Sequence, residues 1–223
     1  MSINNPDFLQ RLNDLVGVIE DPARGPGPIA RPRSTEDVSA IMKLCTEFKC
    51  PVVTIGGNTG LVMGTKRDGS ELALSTELMS EIEEVDENSR TMTVQAGAIL
   101  QRVQETAEKH GFLYPLDLGG RGSATIGGNI STNAGGNRVI RYGMTRDQII
   151  ALEMVLADGT VIPMQGKSIK NNTGYDLKHL AIGGEGTIGV VTRAILRMRT
   201  FPISQNCAWV GVEDWACLTK LLH

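Results

Sequence analysis

Aromatic residues, histidines and paired cysteines are scarce in this sequence. Phe, Trp and Tyr make up 4% of the 223 residues, and histidine occurs three times. Because the histidines lie far apart along the chain, we expect no metal site formed by this chain alone. The four cysteines form no CxxC pair, which predicts reduced thiols in a cytoplasmic protein rather than a disulfide framework. These residues are His110, His179, His223, Cys45, Cys50, Cys207 and Cys217.

Long apolar runs and blocks of like charge are also absent. No apolar run approaches the roughly 20 residues that a membrane-spanning helix needs, so we expect no membrane span. The formal net charge is -3 and like charges are not clustered, so we expect no nucleic-acid partner. The N-terminal residues up to Pro22 lack a basic region followed by an apolar stretch, and they predict an amphipathic helix instead of a signal peptide.

Glycine, by contrast, is abundant and clustered. It occurs 26 times, which favours contact between a ligand and exposed backbone over a flexible linker. We name the clusters the first glycine segment (residues 56–60), the second (residues 119–136) and the third (residues 183–189). The first segment matches neither GxxxxGK[ST], the ATPase phosphate loop, nor GxGxxG, the dinucleotide fingerprint.

The stretches between these segments have helix or strand periodicity. A capping hydroxyl, early acids and helical spacing predict a helix from residue 34 to about 49, followed by a buried strand over residues 51–55. Further predicted elements are strands at 72–75 and 91–95, a helix at 98–110, and strands at 149–156, 160–164 and 187–198. Asp158-Gly159 between two apolar runs predicts a hairpin, so antiparallel sheet is expected after about residue 140.

The first two segments differ in how strongly they indicate a ligand. The first is read about equally well as a structural turn or as a loop whose backbone N–H groups wrap a phosphate. The second alternates glycine with polar side chains, which suits a large ligand carrying a phosphate and a heteroaromatic ring. Its alternative reading is a long mobile loop, but Ile126, Ile130 and Ala134 recur four residues apart, which indicates ordered packing.

Six motifs in this order resemble those of a known flavoprotein superfamily, the FAD-linked oxidases that include vanillyl-alcohol oxidase and p-cresol methylhydroxylase. Within it, the chain is most similar to the branch of D-lactate, glycolate and D-2-hydroxyglutarate dehydrogenases. The similarity covers roughly residues 30 to 200. The motifs are GGNTGL from Gly56, PLDLG from Pro115 with TIGG from Thr125, NAGG from Asn133, RYG from Arg141, NTGYDL from Asn172, and GEGTIG from Gly184.

The resemblance implies an α+β fold of the p-cresol-methylhydroxylase (PCMH) type. Two α/β subdomains, about residues 30–90 and 91–200, would hold FAD between them, after an N-terminal helical segment at residues 1–29. Residues 201–223 would begin a C-terminal cap domain that binds substrate, so the chain is expected to be truncated. A strand around Trp209, Val210 and Val212 would then leave apolar surface uncovered.

The resemblance also implies which residues bind FAD. Those expected at the pyrophosphate are Thr54, Ile55, Gly56, Gly57, Asn58, Thr59, Gly60 and Leu61. Those expected along the second segment, at the flavin and its ribityl chain, are Pro115, Leu118, Gly119, Gly122, Ser123, Thr125, Ile126, Gly128, Asn129, Thr132, Asn133, Ala134 and Gly135. Those expected at the adenine and pyrophosphate side are Glu185, Gly186, Ile188, Gly189 and Val190.

Two departures from the superfamily pattern matter. Many members have glycine where this chain has Asn58, but asparagine tolerates the left-handed backbone conformation, so the loop is expected to persist. Some members attach FAD covalently through a histidine in this loop, and because none is present here we predict noncovalent FAD.

The activity implied is oxidation of a small D-2-hydroxy acid to the 2-oxo acid, with electrons passing to a quinone, an electron-transfer protein or oxygen. In this branch the substrate carboxylate and the catalytic base are held mainly by the cap domain, so we assign no catalytic residue and expect this chain to be inactive alone. Two alternatives are a noncatalytic flavin-binding module that works with a separate subunit, and the NADPH-dependent enolpyruvyl-sugar reductase of the same superfamily.

Overall fold

A computed structural model describes residues 2–222, so His223 lies outside the described residues. The helices are α1 (Pro6–Leu15), α2 (Thr35–Phe48), α3 (Leu100–Lys109), α4 (Ile126–Ser131), α5 (Val139–Tyr142), α6 (Thr145–Gln148), α7 (Lys178–Ala181) and α8 (Trp215–Leu222), with 3₁₀ turns at Ser2–Asn4 and Pro22–Arg24. The strands are β1 (Gly17–Glu20), β2 (Pro28–Arg31), β3 (Val52–Ile55), β4 (Leu72–Ser75), β5 (Ile82–Asp86), β6 (Thr91–Gln95), β7 (Phe112–Leu113), β8 (Ile149–Val155), β9 (Val161–Ile162), β10 (Val190–Arg197) and β11 (Arg199–Thr200).

The first lobe is a four-stranded sheet in the order β1-β2-β4-β3. Strands β2, β4 and β3 run parallel, and β1 pairs antiparallel with β2. Helix α2 begins as its sequence predicts, because the Ser34 hydroxyl accepts a hydrogen bond from the Asp37 N–H at 3.1 Å. It ends at Lys49, whose φ of 51° is left-handed, and the chain then enters β3 and the first glycine segment.

The second lobe is a five-stranded antiparallel sheet in the order β5-β6-β10-β8-β9. Helix α4 packs against β10 and β6, and α3 contributes Leu100, Val103 and Ala107 to the core of this lobe. The predicted hairpin at Asp158-Gly159 is confirmed, since β8 and β9 are its two antiparallel strands. A separate antiparallel pair of short strands, β7 and β11, completes the lobe.

Buried hydroxyl groups on α2 join the two lobes. The Thr35 hydroxyl donates to Glu153 Oε1 of β8 at 2.6 Å, and the Ser39 hydroxyl donates to the Gly159 carbonyl at 2.6 Å. Glu153 also accepts from the Thr192 hydroxyl of β10 at 2.9 Å. Because these groups are buried, their hydrogen bonds fix how the first lobe lies against the second.

The helices and strands predicted from periodicity are confirmed, with shorter bounds at the second-lobe strands. Five strands were not predicted. β1 and β2 lie largely within the N-terminal part that was expected to be helical, β7 and β11 are only two residues long, and β5 has two adjacent acids and a register shift between Ile82 and Glu84. The first sheet ends at Ser75 and the second begins at Ile82, because β5 hydrogen-bonds with β6. The resemblance placed the division between the subdomains at about residue 90.

The four cysteines differ in exposure. Cys45 and Cys50 are buried, Cys207 and Cys217 are exposed, and all four are free thiols. In residues 2–222 no helix is long and apolar enough to cross a membrane. The same residues contain no group of three or more His, Cys, Asp or Glu side chains that could hold a metal. The strand expected around Trp209 is wrong, because residues 204–212 form neither helix nor strand, while Trp209 itself is 98% exposed.

Candidate functional site

The first and second glycine segments pack directly against each other. The first segment follows the carboxyl end of β3, which is where ligands bind beside parallel strands. A Cβ added to Gly57 would lie 1.8 Å from the Ser123 carbonyl oxygen, and one added to Gly56 would lie 2.3 Å from the Thr125 hydroxyl. Neither position has room for a side chain, so the two lobes meet here through bare backbone.

The second and third segments are joined by backbone hydrogen bonds. The Gly183 N–H donates to the Ile130 carbonyl at 3.0 Å, and the Glu185 N–H donates to the Ser131 carbonyl at 2.8 Å. Both carbonyls belong to the last turn of α4, whose side chains Ile126 and Ile130 are fully buried. The predicted four-residue packing of this stretch is therefore confirmed, and it anchors the third segment as well.

The first and third segments also approach each other across the lobes. The Glu185 carboxylate lies 3.1 Å from the position of a Cβ on Gly64, just beyond the first segment. A Cβ on Gly186 would lie 3.9 Å from Thr54, the third residue of β3. All three glycine segments thus meet at one place between the lobes, although they are far apart in sequence.

Several residues at this meeting point adopt left-handed backbone conformations. Asn58 has a φ of 51°, Asn133 of 46° and Glu185 of 48°. The prediction that Asn58 occupies a left-handed position is confirmed, and its Oδ1 accepts from the Thr65 hydroxyl at 2.6 Å. Such conformations turn successive N–H groups toward one side, which is how backbone nests bind anions.

The first segment presents backbone donors without protein acceptors. Within residues 2–222, the N–H groups of residues 57–62 form no hydrogen bond. Leu61, at the end of this run, is 95% exposed. Neutral N–H donors at a loop that follows a strand are suited to the oxygens of a phosphate or diphosphate.

Within the first two glycine segments, Gly60 and Gly119 face open space, and packing of the protein does not require glycine at either position. A Cβ on Gly60 or on Gly119 would meet no heavy atom within 4 Å, and neither residue has a positive φ. Gly60 closes the first segment and Gly119 opens the second, and a Cβ on the neighbouring Gly120 would lie 3.4 Å from Thr59. We call the place where the three glycine segments meet the cleft. A ligand lying against the backbone accounts for glycine at both positions.

A buried side-chain donor also lacks a partner at this place. Asn129, on α4, is 4% exposed, and its Nδ2 forms no hydrogen bond with the described residues. Leaving a buried amide donor unpaired costs about 1–3 kcal/mol. A ligand acceptor that reaches α4 would remove this cost.

The predicted FAD-binding residues are brought together but differ in exposure. Six have buried side chains, so only their backbone groups or a single polar atom are available to a ligand: Ile55, Pro115, Thr125, Ile126, Asn129 and Val190. Ten are half-buried: Thr54, Gly56, Gly57, Leu118, Gly128, Asn133, Ala134, Gly135, Gly186 and Gly189. Ten are exposed: Asn58, Thr59, Gly60, Leu61, Gly119, Gly122, Ser123, Thr132, Glu185 and Ile188.

Other residues of the quoted motifs either contact a neighbouring side chain or face solvent. The Arg141 guanidinium lies 5.5 Å from the centre of the Tyr142 ring, and Tyr175 points into solvent. Lys178 hydrogen-bonds to Asp176 and holds the pKa of that carboxyl below its usual range. Arg146 contacts both the second segment and the start of the third, and no motif in the sequence singled it out.

Comparison with known proteins agrees with this geometry. Residues 26–165 match the FAD binding domain family. The mitochondrial D-2-hydroxyglutarate dehydrogenase of Danio rerio is 43% identical over 98% of this chain and 41% of its own length. The D-2-hydroxyglutarate dehydrogenase of Stutzerimonas stutzeri is 39% identical over 90% of this chain and 43% of its own length. The chain therefore spans about two-fifths of these curated relatives.

A solved structure confirms the predicted fold. An alkyldihydroxyacetonephosphate synthase superposes with a TM-score of 0.79 over 90% of this chain and 41% of its own. The two sequences are 20% identical, so the likeness concerns the fold alone. The fold is that of the PCMH-type FAD-binding proteins, with two lobes whose glycine segments meet between them.

Proposed function

Because this chain belongs to the FAD binding domain family, we propose that it is the flavin-holding part of a dehydrogenase for D-2-hydroxy acids. FAD is its cofactor, and we propose that FAD is held noncovalently between the lobes. The observation that carries the proposal is the convergence of all three glycine segments, with unpaired N–H groups on residues 57–62.

The residues of the cleft fit FAD in chemistry. The neutral N–H donors of the first segment suit its diphosphate, and the open faces of Gly60 and Gly119 leave room for a ligand against the backbone. The unpaired Asn129 amide offers one buried donor. When bound, FAD supplies the electron-accepting chemistry, and the protein contributes binding, orientation and exclusion of water.

The proposed reaction is oxidation of a D-2-hydroxy acid to its 2-oxo acid, with D-2-hydroxyglutarate as the first substrate to test. The names of the Danio rerio and Stutzerimonas stutzeri relatives support this choice over D-lactate, glycolate or an enolpyruvyl sugar. We propose a quinone, an electron-transfer protein or oxygen as the acceptor. No residue of this chain is assigned to removal of the substrate proton.

The test replaces the matching segment of the Danio rerio enzyme with this chain. We expect the purified chimera to contain FAD and to reduce an artificial dye with D-2-hydroxyglutarate but not with its L enantiomer. A chimera that contains FAD but does not turn over D-2-hydroxyglutarate would contradict the proposal that this chain is the flavin-holding part of such a dehydrogenase. The FAD content of the chimera separates a folding failure from a failure of substrate recognition.

The chain by itself gives a second, simpler test. When it is loaded with FAD under anaerobic conditions, we expect the flavin absorption bands to persist after D-2-hydroxyglutarate is added. Rapid bleaching would mean that this chain alone carries a complete substrate site, contrary to its proposed role as the flavin-holding part.

A further inference from the structure

Arg146, on the short helix α6, donates hydrogen bonds to the second glycine segment and to residues that come just before the third. Its backbone N–H donates to Asn133 Oδ1 at 3.0 Å. Its Nη1 donates to the His179 carbonyl at 3.0 Å and contacts His179 Nδ1 at 2.9 Å, and its Nη2 donates to the Ile182 carbonyl. One residue therefore connects the second glycine segment with the chain that enters the third.

The guanidinium group acts as a donor to neutral acceptors, not as one half of an ion pair. Within residues 2–222, no carboxylate lies at ion-pair distance from Arg146. Its side chain is half-buried, and its contacts are to a ring nitrogen of His179 and to two backbone carbonyl oxygens. Several donors held in a rigid plane are what a lysine could not provide.

Arg146 lies beside residues with left-handed backbone conformations. Asn133, which accepts its N–H, has a φ of 46°, and Gly183 has a φ of 83°. A Cβ on Gly183 would lie 3.4 Å from Asn133 Cβ and 3.5 Å from Arg146 Nη2. Arg146 thus lies beside a contact between the two segments, and its hydrogen bond supports a left-handed conformation at Asn133 that costs free energy in a residue other than glycine.

We propose that Arg146 is a positioning residue that holds the second and third glycine segments at the separation FAD requires. It acts through Asn133 and through the carbonyl groups of His179 and Ile182. This inference rests on the proposed binding of FAD between the lobes. Arg146 itself need not touch the cofactor.

The experiment measures the FAD dissociation constant and the melting temperature of the flavin-free protein for three variants. Arg146→Met is expected to weaken FAD binding about tenfold, as loss of hydrogen bonds from a charged donor implies. Arg146→Lys keeps the charge but not the planar donors, and we expect it to restore little of the affinity. Arg102→Met is the matched control, because Arg102 also donates to a carbonyl, that of Ser80, but contacts none of the glycine segments.

The comparison of the two measurements separates a positioning role from a merely structural one. We expect Arg146→Met and Arg146→Lys to lose FAD affinity while the melting temperature of the flavin-free protein changes no more than in Arg102→Met, whereas a merely structural role would lower both together. If Arg146→Met fails to fold, Arg146→Lys alone decides the question. Unchanged FAD affinity in Arg146→Lys, or an equal loss of affinity in Arg102→Met, overturns the proposal. If the unaltered chain binds no FAD, the proposed function fails and this inference fails with it.

Discussion

The glycines of this cleft fall into two groups with different structural roles. Gly56 and Gly57 are glycine because another part of the protein occupies the space of a side chain, at 2.3 and 1.8 Å. Gly60 and Gly119 are glycine although nothing in the protein lies within 4 Å. The first pair allows the two lobes to pack in direct contact. The second pair leaves the backbone beside the cleft uncovered by side chains. Glycine abundance alone therefore does not reveal which residues contact a ligand.

The most damaging change is expected at the first pair. Gly57→Val places a Cβ against the Ser123 carbonyl and must push the two segments apart. We expect a loss of about 1–3 kcal/mol in the free energy of unfolding, together with loss of FAD retention. Chemical denaturation and flavin content measure the two effects. A variant that keeps its FAD content would contradict the assignment of the first segment to the pyrophosphate.

The second pair should separate ligand binding from stability. Gly60→Val and Gly119→Val are expected to lower FAD affinity about 100-fold while changing the unfolding free energy by less than about 0.5 kcal/mol. Gly211→Val is the matched control, since its Cβ also meets open space but lies outside the three segments. Should Gly60→Val bind FAD as tightly as this control, the open glycine faces would not mark the cofactor's path.

Asn129 tests whether the cofactor completes the cleft's buried polar groups. Asn129→Ala removes a buried donor that has no protein partner, so the flavin-free protein should be no less stable. We expect FAD affinity to fall about tenfold, because the bound state loses a hydrogen bond. A fall in the stability of the flavin-free protein with no change in FAD affinity would contradict a role of the Asn129 amide in FAD binding, since the amide would then stabilise the fold alone.

The smallest effect on FAD is expected at the junction of the lobes. Thr35→Val removes one of the hydroxyl groups that bind Glu153, while Thr192 still donates to that carboxylate. We expect a loss of about 1–2 kcal/mol in stability and less than about a threefold change in FAD affinity. Thermal unfolding measures the stability, and titration with FAD measures the affinity. Thr46→Val is the control, because the Thr46 hydroxyl is an exposed donor on the same helix. A larger loss of affinity than of stability would show that lobe orientation, more than the glycine contacts, controls binding.

Local patterns predicted the elements, but not how the segments meet. Ser34 marked the start of α2, Asp158-Gly159 marked the hairpin, and the left-handed position of Asn58 followed from its side chain. These features depend on residues close in sequence. The contact of Gly57 with Ser123 joins residues far apart, and only the folded chain shows it.

The weaker sequence signals explain what was missed. Strand β5 is rich in exposed acids and pairs only with β6, so its apolar periodicity is faint. Arg146 lies in a four-residue helix with no motif, and its role follows solely from its partners. The domain boundaries, the individual FAD-binding residues and the cytoplasmic location stay predictions.

The most direct test of the account is a titration of the purified, flavin-free chain with FAD and, in parallel, with riboflavin, which lacks the diphosphate. If FAD binds noncovalently between the lobes through its diphosphate, one FAD binds per chain, riboflavin binds much more weakly, and FAD is fully released when the protein is denatured. Absence of FAD binding, equal affinity for riboflavin, or flavin that stays attached after denaturation would contradict it.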